Sequence, residues 1–259
     1  MDIEVRREGH IGIITLNRPE ARNALTAPMM ASYEAAVCDL DEDPSCRAMI
    51  LTGADPAFCA GLDLKDLQRT YEDLGIGDDR PQRPRRGLSI ERHTPMVGAI
   101  NGPAVTGGLE LALACDFLIG SHRATFADTH GRVGILPGGG MTIRLPELIG
   151  RNRALQMSLT GAFIDAGTAV EWGLLNEVVP HGVLMERSLE VANQIAEADP
   201  EVLRQLRSMY ETLAGRTDDE AYREEARWSR RFQRDHFDPA AFAARRQGII
   251  ERGAAQQAT

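Results

Sequence analysis

The stretch from Met96 to Asp116, MVGAINGPAVTGGLELALACD, constrains this chain more than any other. Met96 to Ile100 is a short apolar run suited to a buried strand. Asn101-Gly102-Pro103 breaks it, Thr106-Gly107-Gly108 follows, and Leu109 to Cys115 is apolar except for Glu110. The order is strand, tight turn, glycines, helix start. Glycine has no Cβ, so a ligand can approach the backbone closely there. The first helical turn also offers free N–H groups at the positive end of the helix dipole. Such a corner can hold a developing negative oxygen. Glu110 sits in the same turn, and its plainer reading is a capping carboxylate on a packed helix start.

A second stretch repeats the pattern. Ala48 to Thr52, AMILT, is a strand candidate, and Gly53-Ala54-Asp55-Pro56-Ala57-Phe58-Cys59-Ala60-Gly61-Leu62-Asp63-Leu64 follows it. Again a strand enters a glycine-bearing turn. Two backbone N–H donors, one from each turn, are then available to a single carbonyl oxygen.

With these stretches in view, the sequence resembles the crotonase family, also called the enoyl-CoA hydratase/isomerase superfamily. FCAGLDL at 58–64 and NGPAVTGGLELALACD at 101–116 are similar to its two signatures. LNRPEARNAL at 16–25, VGILPGGG at 133–140 and LTGAFIDAGTAVEWGLLNEVVP at 159–180 match further landmarks in the same order. The resemblance covers roughly residues 3 to 250. It implies an α/β fold, a spiral of repeated ββα units followed by C-terminal helices that help build a trimer, commonly paired into a hexamer. It implies acyl-CoA as ligand, coenzyme A being part of the substrate rather than a separate cofactor.

Composition bounds the alternatives. The chain has 259 residues, 43% of them hydrophobic, enough for one large domain or a core with an appendage. The formal net charge of −9 argues against a general nucleic-acid surface. Arginines do cluster at 80–92, 144–153 and 223–246, where coenzyme phosphates would find cations. No apolar run is long enough to suggest a membrane span. The opening MDIEVRREGH has no apolar signal core, so the expected location is cytoplasmic. The four cysteines, at 38, 46, 59 and 115, form no metal-ligand spacing, and no metal or redox cofactor is expected. No GxGxxG follows the first strand and no GxSxG elbow is present, so dinucleotide binding and serine hydrolysis fit poorly.

In chain order, Ile3–Arg7 and Ile11–Leu16 read as a hairpin around Gly9-His10. Ala27–Asp39 reads as a helix with Thr26 placed to cap it and Pro28 at its start. A helix is expected over 63–74 and a glycine- and proline-bearing loop over 75–87, which borders the acyl pocket if the resemblance holds. Strands follow at 117–120 and 124–127. The segment 128–140 is too glycine-rich for a plain helix, and 141–149 resumes as a helix interrupted near Pro146. Helices are expected at 152–159, 165–172, 183–198, 200–214, 218–234 and 239–247, with a short strand at 174–179. Strand–helix alternation followed by helices alone divides the chain into a core, 1–195, and a helical region, 196–259.

The resemblance assigns residues. The backbone N–H groups of Leu62 and Gly107 would form the oxyanion hole. Backbone near Arg22 and Ala24, with Ala60 and Asp63, would line the coenzyme; the plainer reading of Arg22 is a solvated loop charge. Glu110 matches the first catalytic carboxylate of family hydratases. His130, counted back from Gly134-Ile135-Leu136-Pro137, stands where those hydratases carry a second glutamate. An imidazole can orient water or pass a proton near neutral pH. Asp128, two residues earlier, either orients His130 or ends a strand, and strand termination is the expectation. The leading function is hydration of a trans-2-enoyl-CoA to a 3-hydroxyacyl-CoA, within fatty-acid metabolism. The alternatives are movement of the double bond, or other enolate chemistry on acyl-CoA, and an acyl-CoA-binding protein with little turnover.

Overall fold

The computed structural model describes residues 1–63 and 88–236. The expected helix beyond Asp63, the loop up to Gly87 and the helix at 239–247 lie outside the described residues. The chain divides into two compact units, Met1–Gln205 and the stretch from Leu206 onward. Every site residue discussed below belongs to the first.

That unit opens with the hairpin β1 (Ile3–Glu8) and β2 (Ile11–Leu16), followed by α1 (Ala27–Glu42) and β3 (Ala48–Gly53). Thr26 accepts a hydrogen bond from the Met29 N–H, as an N-cap should. Then come β4 (Met96–Ile100), β5 (Ala104–Val105) and α2 (Gly107–Leu113). The next turn is β6 (Phe117–Ser121), β7 (Thr125–Ala127) and the short α3 (His130–Val133). Helices α4 (Met141–Ile149) and α5 (Arg151–Thr160) precede β8 (Ile164–Asp165), α6 (Ala166–Trp172), β9 (Glu177–Val179) and α7 (Leu184–Ala196). Two amphipathic helices, α8 (Pro200–Leu213) and α9 (Asp218–His236), complete the described chain. None of the described helices is long and apolar enough to cross a membrane.

The strands form a six-stranded sheet ordered β1-β2-β3-β4-β6-β9 and a three-stranded sheet ordered β5-β7-β8. All pairings in the larger sheet are parallel except the opening hairpin. Each of the units β4-β5-α2 and β6-β7-α3 contributes one strand to each sheet before its helix, so the repeated ββα spiral is visible directly.

Every residue of β3 and β4 is buried, which a parallel strand covered on both faces requires. The two-residue alternation of the strands sorts their side chains. Ile11, Ile13, Ile50 and Val97 pack with Leu184 and Ala192 of α7. Ile14, Leu16, Met49, Leu51 and Ile100 fall into the larger core with Met29 and Tyr33 of α1 and Leu109 of α2. Helix α4 runs unbroken through Pro146, contrary to the expected interruption. Met141, Leu145 and Ile149, spaced by four and all buried, hold it to the core and outweigh the one N–H that proline removes.

Helix α2 reaches its place because Gly108 is a glycine. A Cβ there would stand 2.1 Å from the Cys59 carbonyl oxygen. Gly108→Ala is therefore expected to lower the unfolding free energy by about 3 kcal/mol or more, at the upper end of overpacking costs. Urea unfolding of the variant measures it; wild-type stability would contradict the close packing of these two segments.

Candidate active site

Two turns meet at the start of α2. A Cβ built on Gly107 would lie 3.6 Å from Gly61 Cα and from Leu62 N, and one on Gly61 would lie 3.4 Å from Gly107 N. Gly61 has φ +93°, a conformation glycine reaches without strain. Among the described residues, neither the Leu62 nor the Gly107 N–H donates to a protein acceptor. Leu62 and Gly107 thus stand side by side with two donors available.

Each turn is braced. The first is laced to the second by Phe58 N and Cys59 N donating to Pro103 O, at 3.1 and 3.0 Å, and by Val105 N donating to Cys59 O at 2.9 Å. Buried Asn23 reaches the carbonyls of Ala54, Ala57 and Phe58 through Nδ2, at 2.8, 2.7 and 3.2 Å. Buried Asn101 accepts from Gly53 N and donates to Asp55 and Ala57 O. In the second turn Thr106 adopts φ 54°, ψ −112°, an unfavourable conformation for a β-branched residue. That strain is of order 1–3 kcal/mol. Thr106 is held there by its N–H on Ala127 O (2.8 Å) and by contacts of its hydroxyl with Thr129 Oγ1 (2.5 Å) and Thr129 N (3.1 Å). The same contacts fasten the second turn to the segment that carries His130.

Glu110 lies three residues beyond Gly107 on α2, so it returns to the same helix face. It is 4% exposed, and its carboxylate bonds to N–H groups outside its own helix rather than capping it. Its Oε1 accepts from Gly139 N (2.7 Å) and Met141 N (3.2 Å). Its Oε2 stands 3.9 Å from His130 Nε2. Burial pushes the Glu110 carboxyl above the usual carboxylate range, although the Met141 N–H, the His130 ring and the Gly139 N–H each pull it back. The expectation that Asp128 serves mainly to end β7 is corrected. Asp128 does follow the strand, but its Oδ1 lies 2.6 Å from His130 Nδ1 and its Oδ2 accepts from Ser158 Oγ at 2.5 Å.

The four residues assigned to the coenzyme also converge. Segments 22–25 and 60–63 run side by side through Ala60 N to Arg22 O, Leu25 N to Gly61 O and Asp63 N to Leu25 O, at 3.0, 2.7 and 3.0 Å. Ala24 is buried and Arg22 exposed, with no ion pair among the described residues. The Asp63 carboxylate pairs with Arg18 at 3.0 Å, which offsets its charge beside an anionic ligand.

Asn23, Thr106, Gly139 and Ser158 were not singled out for the site by the sequence. Asn101-Gly102-Pro103 reads there only as a strand break, and the side chain of Asn101 is a structural finding. Ser158 is 30 residues from Asp128 in the chain, with no local pattern to link them.

Paired N–H groups on a glycine-rich corner stand beside a buried carboxylate and an imidazole on a ββα spiral. The enoyl-CoA hydratase/isomerase family profile matches residues 6–250, and the chain belongs to that family. It is 38% identical over 209 residues to "Probable enoyl-CoA hydratase 1, peroxisomal" of Arabidopsis thaliana, covering 80% of this chain and 77% of that protein. It is 36% identical over 217 residues to "Enoyl-CoA hydratase EchA19" of Mycobacterium tuberculosis, covering 82% and 81%. The crystal structure of an enoyl-CoA hydratase from Mycobacterium tuberculosis H37Rv superposes with a TM-score of 0.74 at 40% identity, covering 89% of this chain and 98% of that one.

Gly139 tests how tightly the carboxylate is held, since a Cβ there would stand 2.4 Å from Glu110 Oε2. Gly139→Ala should displace Glu110 and lower turnover of an enoyl-CoA by about 10-fold or more while the affinity for coenzyme A changes little. Steady-state kinetics with a coenzyme A titration check it; unchanged turnover would mean Glu110 does not act from this position.

Proposed function

We propose that this chain hydrates trans-2-enoyl-CoA to 3-hydroxyacyl-CoA. The observation that carries the reading is the 3.9 Å between Glu110 Oε2 and His130 Nε2, beside the two oxyanion turns. That separation is too long for a direct hydrogen bond, yet one water oxygen reaches both atoms at about 2.8 Å each. The thioester oxygen accepts from Leu62 N and Gly107 N, and the polarised carbonyl makes the β carbon electrophilic. Glu110 takes a proton from water as its oxygen bonds that carbon. The electron pair of the double bond passes into the enolate. The α carbon then takes a proton from His130 Nε2, and transfer of a proton from Glu110 to His130 restores both groups. The coenzyme lies along segments 22–24 and 60–63, with Arg22 toward its phosphates.

This reading requires one base and one acid. Burial raises the Glu110 carboxyl, and the two amide donors on Oε1 and the neighbouring ring oppose that rise and stabilise the ionised base. Glu110→Gln keeps the size of the side chain and removes the base. Turnover of trans-2-enoyl-CoA should fall at least about 100-fold with little change in KM. Hydroxyacyl-CoA and shifted enoyl-CoA are both quantified, from 2-enoyl and 3-enoyl substrates of short, medium and long chain. Full hydration by the variant would refute Glu110 as base. A shifted enoyl-CoA as the sole product would establish an isomerase, and absence of both products in the wild type would establish a binding protein.

We also propose self-association as a homotrimer or a dimer of trimers. Leu136, Ile143, Leu159 and Phe163 are 90, 67, 79 and 59% exposed, large apolar side chains that a further copy of the chain would cover. Light scattering at micromolar concentration should give three or six times the 28.4 kDa chain mass. A monomer mass would contradict it.

A further inference from the structure

We propose that Asp128, itself held by Ser158, is a positioning residue that fixes His130 with a proton on Nδ1 and so aims Nε2 at the reacting carbon beside Glu110. The proposal rests on the hydration reading above and adds to it the device that makes a histidine usable at this position.

Asp128 is 1% exposed and its carboxylate makes three contacts, one with each of three donor atoms. Oδ1 lies 2.6 Å from His130 Nδ1 and accepts from His130 N at 3.1 Å, while Oδ2 accepts from Ser158 Oγ at 2.5 Å. An ionised carboxylate only accepts, so Nδ1 must be the donor. Burial favours the neutral acid, but the hydrogen bonds from His130 and Ser158 outweigh it and hold Asp128 below the usual carboxylate range. A half-turn of the ring would put a carbon against Asp128 and forfeit the Nδ1 bond. Nε2 is therefore the nitrogen that meets Glu110 Oε2 at 3.9 Å.

The α carbon takes its proton from Nε2, so with Nδ1–H held on Asp128 the ring that delivers it carries a hydrogen on each nitrogen. A glutamate at position 130 would need no such partner, because either oxygen of a carboxyl group can carry the proton. An imidazole has two distinct nitrogens and needs one of them assigned. Asp128 makes that assignment, and Ser158 on α5 fixes Asp128 from the far side.

The test uses the full chain with crotonyl-CoA and a medium-chain trans-2-enoyl-CoA, and compares the wild type, Asp128→Asn, Ser158→Ala, His130→Ala and the double variant Asp128→Asn/His130→Ala. Asp128→Asn should lower kcat by about 10²–10⁴-fold with KM within about threefold. In the His130→Ala background the same substitution should cost less than about threefold, because its effect passes through the ring. Ser158→Ala should cost roughly two- to tenfold. Nitrogen-15 NMR of histidine-labelled protein, with His130 assigned by its absence in His130→Ala, should show a hydrogen-bonded Nδ1–H that Asp128→Asn loses and Ser158→Ala retains. Equal losses from Asp128→Asn in both backgrounds would make the residue merely structural and overturn the proposal. So would wild-type kcat in Asp128→Asn, or an unprotonated Nδ1 in the wild type. The last measurement decides the proposal even where Asp128→Asn fails to fold. If the wild type hydrates neither substrate, the hydration reading falls, while the NMR still decides the Asp128–His130 pairing.

Discussion

Two backbone turns in van der Waals contact are the constraint on which the rest of this structure depends. Gly61 and Gly107 face one another, and Gly108 sits against the Cys59 carbonyl at a distance no other residue tolerates. Without these glycines the turn after β3 and the start of α2 could not close on each other. Closure places Leu62 N beside Gly107 N, and it does so with backbone atoms, whose positions are set by the sheet rather than by rotamers. Preorganised donors of this kind cost no reorganisation when charge develops on an oxygen between them. Losing one such donor typically costs about 3 kcal/mol in the transition state.

The bracing explains where the stability of the fold is spent. Asn23, fully buried at φ 56°, uses its side chain on three carbonyls of the first loop. Thr106 is kept in a strained conformation by β7 and by Thr129. Those last contacts connect the Thr106 turn directly to the segment bearing Asp128 and His130. Glu110 is fixed from a third direction by the N–H groups of Gly139 and Met141. The 128–141 segment thus supplies the imidazole and also the donors that orient the carboxylate.

Much of this was legible in the sequence, for a physical reason: strands, turns and glycines are local signals. The buried strands AMILT and MVGAI, the Thr26 cap and the placement of Glu110 three residues into a glycine-led helix all follow from adjacent residues. The side-chain network was not legible, because it joins residues remote in the chain. Asp128 reads as a strand end until Ser158 is brought against it, and Asn101 reads as a break until Gly53 and Ala57 meet its amide. Pro146 misled in the opposite direction. A local helix-breaking signal lost to three buried side chains on the opposite turns.

In the proposed reaction a thioester carbonyl between the two turns is the point on which catalysis, binding and the assignment of Glu110 and His130 all converge. Difference infrared spectroscopy of a bound saturated acyl-CoA, carbon-13-labelled at the thioester carbonyl, reports on it directly. Two directed N–H donors should weaken the C=O bond and move its stretch below the frequency of the same thioester in water. A bound carbonyl that absorbs at or above the aqueous frequency would show that Leu62 and Gly107 do not polarise it, and would contradict this account of the site.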